Sequence, residues 1–485
     1  MKTTSRSLGF FLASLLITGC NNSEQIERLT REASQAERHG DHQAAIARWS
    51  SVLKLDPKNL DAYLQRAALY EARGNRSAAI ADYTQYLARS TNTARVKDKV
   101  LAVVDNQPLP DLSPERGLAF CRRGFLYAKL GQFDQALADM KEAFRLDPEG
   151  SLTHLCRAQV FEMSGEPDKA LASFNRALQA APNDATAHAQ RGAFLARRGK
   201  VEDALADLDE AVRLDPENGQ VLMQRGLVLA NHRDIDKALA DLDKAAQVSP
   251  EDPDVFAARG AILLEKAEYQ AALDDFNQTL LLRPNDPLAL ARRGFAWNQR
   301  GRPELALVDL NEAIKLNPAE GFLYAWRGMA HVATNHFEEA LADAQHAVEL
   351  DSKQPIFYNV RALVHSKRHE YAQAVADFQQ SLRLNADNPE TCNGLAWLRA
   401  TCPTNDFRDA KEATALATRA CELTGFKRFG LLDTLAAAYA EAGDFERAVE
   451  YQKRTLQLAS ANYRRRGEME ARLLLYQDHK PFRDK

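Results

Sequence analysis

An arginine and an aspartate recur sixteen positions apart eight times along this chain: Arg66 and Asp82, Arg123 and Asp139, Arg191 and Asp207, Arg225 and Asp241, Arg259 and Asp275, Arg293 and Asp309, Arg327 and Asp343, Arg361 and Asp377. Arg157 alone meets a serine there, Ser173. At that spacing the two groups fall at matching heights on antiparallel helices, where a bidentate ion pair can form. The pattern could hold an extended charged ligand. A pair fixed in every copy instead specifies register, and neutralised pairs leave little charge for a ligand. Histidine offers one metal-like spacing, His365 and His369, with His331 one copy earlier at the place of His365. That place is taken elsewhere by Tyr127, Phe161, Leu195, Leu229, Leu263 and Trp297, so it is a packing position, and no HExxH or paired CxxC motif supports a metal. Besides Cys20 there are five cysteines. Cys392, near the start of one helix, and Cys421, near the end of the next, would approach in an antiparallel hairpin and are the pair expected to bridge, while Cys402 lies near the opposite end. Cys121 and Cys156 read as small buried apolar residues. No nucleophile elbow, phosphate loop, dinucleotide fingerprint or isolated acid pair occurs, so neither enzyme nor cofactor is expected.

The elements that would position these residues are copies of one unit, best seen from Ala185 to Asn218. His188, Arg191, Gly192 and Leu195 lie on one helical face, Gly199 breaks the helix, and Ala204, Leu208 and Ala211 form a second face that Pro216 closes. The small residue recurs as Ala67, Gly124, Ala158, Gly192, Gly226, Gly260, Gly294, Gly328 and Ala362, at intervals of 34 with one exception. An alanine follows it twelve residues later, and Pro57, Pro148, Pro182, Pro216, Pro250, Pro284 and Pro318 each end a helix. A single hairpin of this kind cannot bury its apolar face, so copies must stack. The pattern over residues 26 to 458 resembles the tetratricopeptide repeat family. That resemblance implies an all-α, right-handed superhelical solenoid of about twelve helical hairpins with a C-terminal capping helix.

The copies divide the chain. Residues 26–89 hold repeats 1 and 2, and residues 90–114, rich in proline, read as an insertion or hinge. Residues 115–388 hold repeats 3 to 10 without a gap. Residues 389–460 hold two variant repeats, the first with its turn lengthened by Cys402-Pro403-Thr404-Asn405, and residues 461–485 a capping helix and tail.

Ahead of the repeats, Lys2 and Arg6 precede an apolar run of ten residues from Leu8 to Ile17, too short to span a bilayer. This describes a signal peptide over residues 1–19. Ile17-Thr18-Gly19-Cys20 looks like the bacterial lipobox, which implies cleavage before Cys20, lipidation of Cys20, and a short linker over residues 20–25. Asn21 then implies an outer-membrane lipoprotein facing the periplasm, with the inner membrane or the cell surface as alternatives. The full sequence is 27% charged with a formal net charge of −4, its charges spread through every copy. It has no basic footprint, so nucleic acid is not an expected partner.

In the tetratricopeptide family the first helix of each hairpin lines the concave surface. By that resemblance the peptide-binding candidates are Phe125, Leu227, Phe295, Trp326, Met329 and Leu363, flanked by Arg122 and Arg292. Members that grip a terminal carboxylate carry asparagine where Phe125, Leu227 and Phe295 stand, which argues against that ligand. The expected function is a non-enzymatic scaffold, anchored in the envelope and binding other envelope proteins or peptides. The alternatives are an accessory subunit of an envelope enzyme complex and glycan binding along the groove.

Overall fold

A computed structural model describes residues 6–100, 113–460, 463 and 465–484, with side chains described from Asn22 to Ser90 and again from Pro114. Cys20 and the leader therefore lie outside the described side chains, and residues 101–112 outside the described residues. Among the latter there are helices and no strand. The chain divides into two units inside one helix, after Val228.

The first unit holds α1 (Arg6–Arg38), α2 (His42–Leu55), α3 (Leu60–Ala72), α4 (Arg76–Val100), α5 (Ser113–Lys129), α6 (Phe133–Leu146), α7 (Ser151–Met163), α8 (Pro167–Ala180), α9 (Ala185–Arg197), α10 (Val201–Leu214) and most of α11 (Gly219–Asn231). The second continues through α12 (Ile235–Val248), α13 (Pro253–Glu265), α14 (Tyr269–Leu282), α15 (Pro287–Gln299), α16 (Pro303–Leu316), α17 (Gly321–Ala333), α18 (Phe337–Leu350), α19 (Pro355–Lys367), α20 (Tyr371–Leu384), α21 (Pro389–Thr401), α22 (Ala410–Leu423), α23 (Phe429–Glu441), α24 (Phe445–Leu458) and α25 (Arg466–Gln477). Each unit is a stack of helical hairpins in which successive helices pack, and first helices also pack on one another, as α5 does on α7 and α17 on α19.

The hairpin of α9 and α10 shows why the sequence folds this way. Asp184 caps α9 by accepting from the backbone N–H groups of Thr186 and Ala187. A Cβ on Gly192 would stand 2.9 Å from Leu208 Cγ and 3.1 Å from the Ala204 carbonyl, so only a small residue lets the helices touch. Gly199 turns the chain at φ +72°, a conformation glycine takes freely. Ala204, Leu208 and Ala211 are then fully buried. Truncating Leu208 would cost about 2–5 kcal/mol.

The equivalent turn residue is not always glycine. His369 occupies it with φ +61°, beyond the end of α19. The pairing of His365 with His369 on one helical face is thereby corrected: the second imidazole sits in the turn, its Nδ1 2.8 Å from the Tyr371 hydroxyl. His365 faces Glu370 instead.

The arginine and aspartate ladder forms and sets register. Arg191 Nε and Nη2 donate to the two Asp207 oxygens at 2.6 and 2.7 Å, and its Nη1 reaches Asn175 of the preceding hairpin at 2.8 Å. The bidentate pair repeats at Arg66, Arg123, Arg259, Arg293, Arg327 and Arg361. The third bond goes to Ser50, Thr84, Asp243, Asn277 and Asn311 for the first five of these. Each such arginine staples its own hairpin to the one before. Arg225 and Asp241 belong to different units, and within its own unit Arg225 reaches Asp209 at 2.8 Å.

Around the insertion the structure differs from the expected boundary. Helix α4 continues to Val100 rather than ending near residue 89. The stack is continuous across it, because Arg123 of α5 bonds Thr84 of α4 at 3.0 Å and one apolar cluster joins Tyr83 and Leu87 to Ala119 and Leu126. Among the described residues no helix is long and apolar enough to cross a membrane.

Candidate peptide-binding groove

The position just after the small residue of each first helix is where the family resemblance places ligand contacts. In the first unit Phe125, Gln159 and Ala193 hold it on α5, α7 and α9, and all three line one cavity of about 260 Å³. Gln190, Gln224 and Arg197 complete its polar edge. Gln159 Nε2 donates to Gln190 Oε1 at 3.1 Å, and Arg197 is held by Glu162 at 2.9 Å. Phe125 is half-buried, with the Lys129 ammonium 4.5 Å from its ring centre. Arg122 is exposed and pairs with Glu71 at 3.3 Å, while Leu227 is 40% exposed.

In the second unit the expected residues separate into two groups. Phe295 and Trp326 pack ring to ring at 5.3 Å, with Phe322 6.3 Å from Trp326, so part of their surface is spent holding α15 to α17. Met329 packs with the apolar cluster around Phe357. Burial holds the Arg292 guanidinium below its ordinary value, against the attraction of Asp286 and Glu265. Leu363 belongs to a larger cavity of about 560 Å³ between α19, α21, α23 and α25. Trp397, Asn393, Tyr371 and Arg465 line it too.

The far wall of that cavity is α25. Its polar face carries the exposed pairs Arg465 with Glu468 and Arg466 with Glu470, as a capping helix should. Its inner face carries Met469, Arg472 and Tyr476, all buried. Arg472 donates from Nη2 and Nε to Asp433 at 2.7 and 3.1 Å, and Gln452 adds a third bond to that carboxylate at 2.8 Å. A buried charge needs such a partner.

A tetratricopeptide repeat model matches residues 30–94, 121–185, 195–254 and 327–389, more than half of the chain, and a second matches 430–461. The chain belongs to the tetratricopeptide repeat family. No curated protein matches its sequence. Similar solved tetratricopeptide folds include a chain of the APC/C hetero-tetramer Cut9–Hcn1 (TM-score 0.46, 15% identity, covering 93% of this chain and 96% of that one) and yeast Tom70 (0.40, 15%, 94% and 96%). PilF of Pseudomonas aeruginosa is similar over a shorter stretch (0.39, 22%, 43% and 95%). Likeness at this level says nothing about partners.

Trp397 and Asn393 escaped the sequence reading of this tetratricopeptide chain, although Trp397 lies 34 residues after Leu363 and Asn393 lies 34 after Asn359. The turn lengthened at Cys402 follows a register that continues through α21. The expected Cys392 to Cys421 bridge is corrected: both are buried free thiols. Cys392 Sγ contacts the Ala386 carbonyl at 3.8 Å, and burial pushes Cys421 up to about 11. The thiols of Cys121 and Cys156 lie in hydrogen-bonding contact, and that bond with burial pushes Cys121 up. Among the described residues no three His, Cys, Asp or Glu side chains converge as metal ligands.

Proposed function

We propose that this chain is a non-enzymatic scaffold of the bacterial envelope, tethered by lipid on Cys20 to the outer membrane and holding envelope proteins or peptides on the first-helix face of its hairpins. Tetratricopeptide repeats generally serve protein–protein interaction. The observation that carries the reading is that residues of one register on successive first helices, Phe125, Gln159 and Ala193, line a shared cavity, as an extended ligand crossing the stack requires. The Arg and Asp pairs are consumed in holding the stack, which leaves the mixed aromatic and amide surface as the recognition surface. The localisation rests on the sequence around Cys20.

Capture from crosslinked membranes tests the partner. A Phe125→Ala, Phe295→Ala, Trp326→Ala variant with unchanged circular dichroism should lose one defined partner, and unchanged capture would sink the groove reading. Cys20→Ala should move the chain from the membrane to the soluble fraction, and retention in the membrane would sink the anchor.

A further inference from the structure

Beyond α25 the chain turns at His479, φ +57°, and residues 481–484 run back across α21. The Asp484 N–H donates to the Thr401 carbonyl at 2.8 Å, and Trp397 Nε1 donates to the Asp484 carboxylate at 2.8 Å. The Lys367 ammonium stands 4.0 Å from the same carboxylate. Phe482 lies 5.8 Å from the Trp397 ring, and the Arg472 guanidinium covers both rings, at 5.3 and 5.4 Å. Arg483 pairs with Glu441 at 2.6 Å. These are the contacts a bound peptide makes: a main-chain hydrogen bond, an aromatic residue in a cation–π slot, and a carboxylate on an indole N–H.

The segment takes only one edge of the cavity. Asp484 is its sole contribution to the lining, and among the other lining residues the buried Ser366 Oγ and Asn393 Oδ1 have no hydrogen-bond partner. Residues 481–484 are themselves only half-buried, unlike Tyr476 of α25, which is fully buried. The helix is therefore part of the core, and the segment after it rests on the surface.

We propose that residues 481–484 are an intramolecular occupant of this site, and that its external ligand is a peptide carrying an aromatic residue two positions before an acidic one, which displaces them. The chemistry of the occupant defines that of the ligand: Arg472 and Trp397 form the aromatic slot, and the indole N–H with Lys367 takes the acid. Being tethered, the segment competes at a high effective concentration, so an external peptide binds weakly until it is released. The proposal rests on the first-helix face being a binding surface, and it adds a control on that surface.

The probe is a fluorescently labelled peptide of residues 480–485, Lys-Pro-Phe-Arg-Asp-Lys, titrated by anisotropy against the full chain. The Phe482→Ala, Asp484→Ala double variant should bind it at least about tenfold more tightly than wild type. Arg483→Glu, which sets like charges against Glu441 without touching the cavity lining, should do the same. Adding Trp397→Ala to the double variant should abolish the gain. Equal binding to wild type and both released variants, or no binding to either variant with intact circular dichroism, overturns the proposal, as does binding that survives loss of Trp397. Membrane capture does not use this probe, so failure of the general groove reading and failure of the tail proposal are read separately.

Discussion

The hairpins α7–α8 and α9–α10 are consecutive copies that differ at the centre of their polar network. In the later copy Asp207 accepts from Arg191 and stands 3.0 Å from His188 Nδ1, while the other ring nitrogen meets the Pro182 carbonyl. The earlier copy keeps the arginine and the histidine, as Arg157 and His154, but has Ser173 for the aspartate, and the Ser173 hydroxyl bonds the Lys169 carbonyl. It also has Lys141 where Asn175 serves the later copy. His154 Nδ1 is left without a partner, and Arg157 lies 4.5 Å over the Phe144 ring instead. Burial lowers Arg157, whereas in Arg259, with its aspartates in place, the bonds to Asp275 and Asp243 raise the guanidinium. The carboxylate is thus the hub of each ladder step, and an aromatic face is the substitute where it is missing.

The largest effect should follow from imposing the earlier copy's defect on the later one. Asp207→Ser strands Arg191 and His188, and the residue equivalent to Phe144 is Leu178, which offers no ring. The cost should be roughly 3 kcal/mol, read from the urea midpoint by circular dichroism. A loss below about 1 kcal/mol would mean that the ladder contributes register without stability. The reverse change, Ser173→Asp, should stabilise by about 1 kcal/mol as Arg157 leaves Phe144 for the new carboxylate. Phe144→Ala should cost about 1 kcal/mol or more in wild type and less beside Asp at 173; a double-mutant cycle without coupling would remove the substitution argument.

The smallest effect is on pH dependence. Burial depresses His154, with Arg157 adding to it, so the folded state holds this imidazole neutral. Its stabilising contribution is present above the unfolded value of about 6.5 and is lost as pH falls through the lower folded value. His154→Leu should flatten the stability profile between that lower value and about 6.5. An unchanged slope on titration would show that His154 does not report the missing aspartate.

The ladder was legible because both partners sit in one repeat at a fixed spacing, and period alone exposes such a pair. The third partner, sixteen residues before each arginine in most copies, escaped notice because Ser50, Asn175, Asp209 and Asn277 share acceptor chemistry but not residue type. His369 was misplaced because helical spacing does not reveal a left-handed turn when the residue is not glycine. For the bridge, hairpin topology placed Cys392 and Cys421 on neighbouring helices but could not give the direction of each Cβ. The face around Phe125 followed from register, whereas the docking of Phe482 and Asp484 on α21 did not. Nothing in Pro481-Phe482-Arg483-Asp484 repeats, and its bonds to α21 span more than eighty residues of sequence.

The central claim is that partners are held on the first-helix face. A photoreactive residue placed singly at Phe125, Met329 or Leu363 tests it most directly against one placed at Leu281 or Val308, the most exposed large apolar residues of the second helices α14 and α16. Adducts to a single partner from the first three positions alone are the predicted result. Adducts from Leu281 and Val308 alone, or equally from all five, would contradict it.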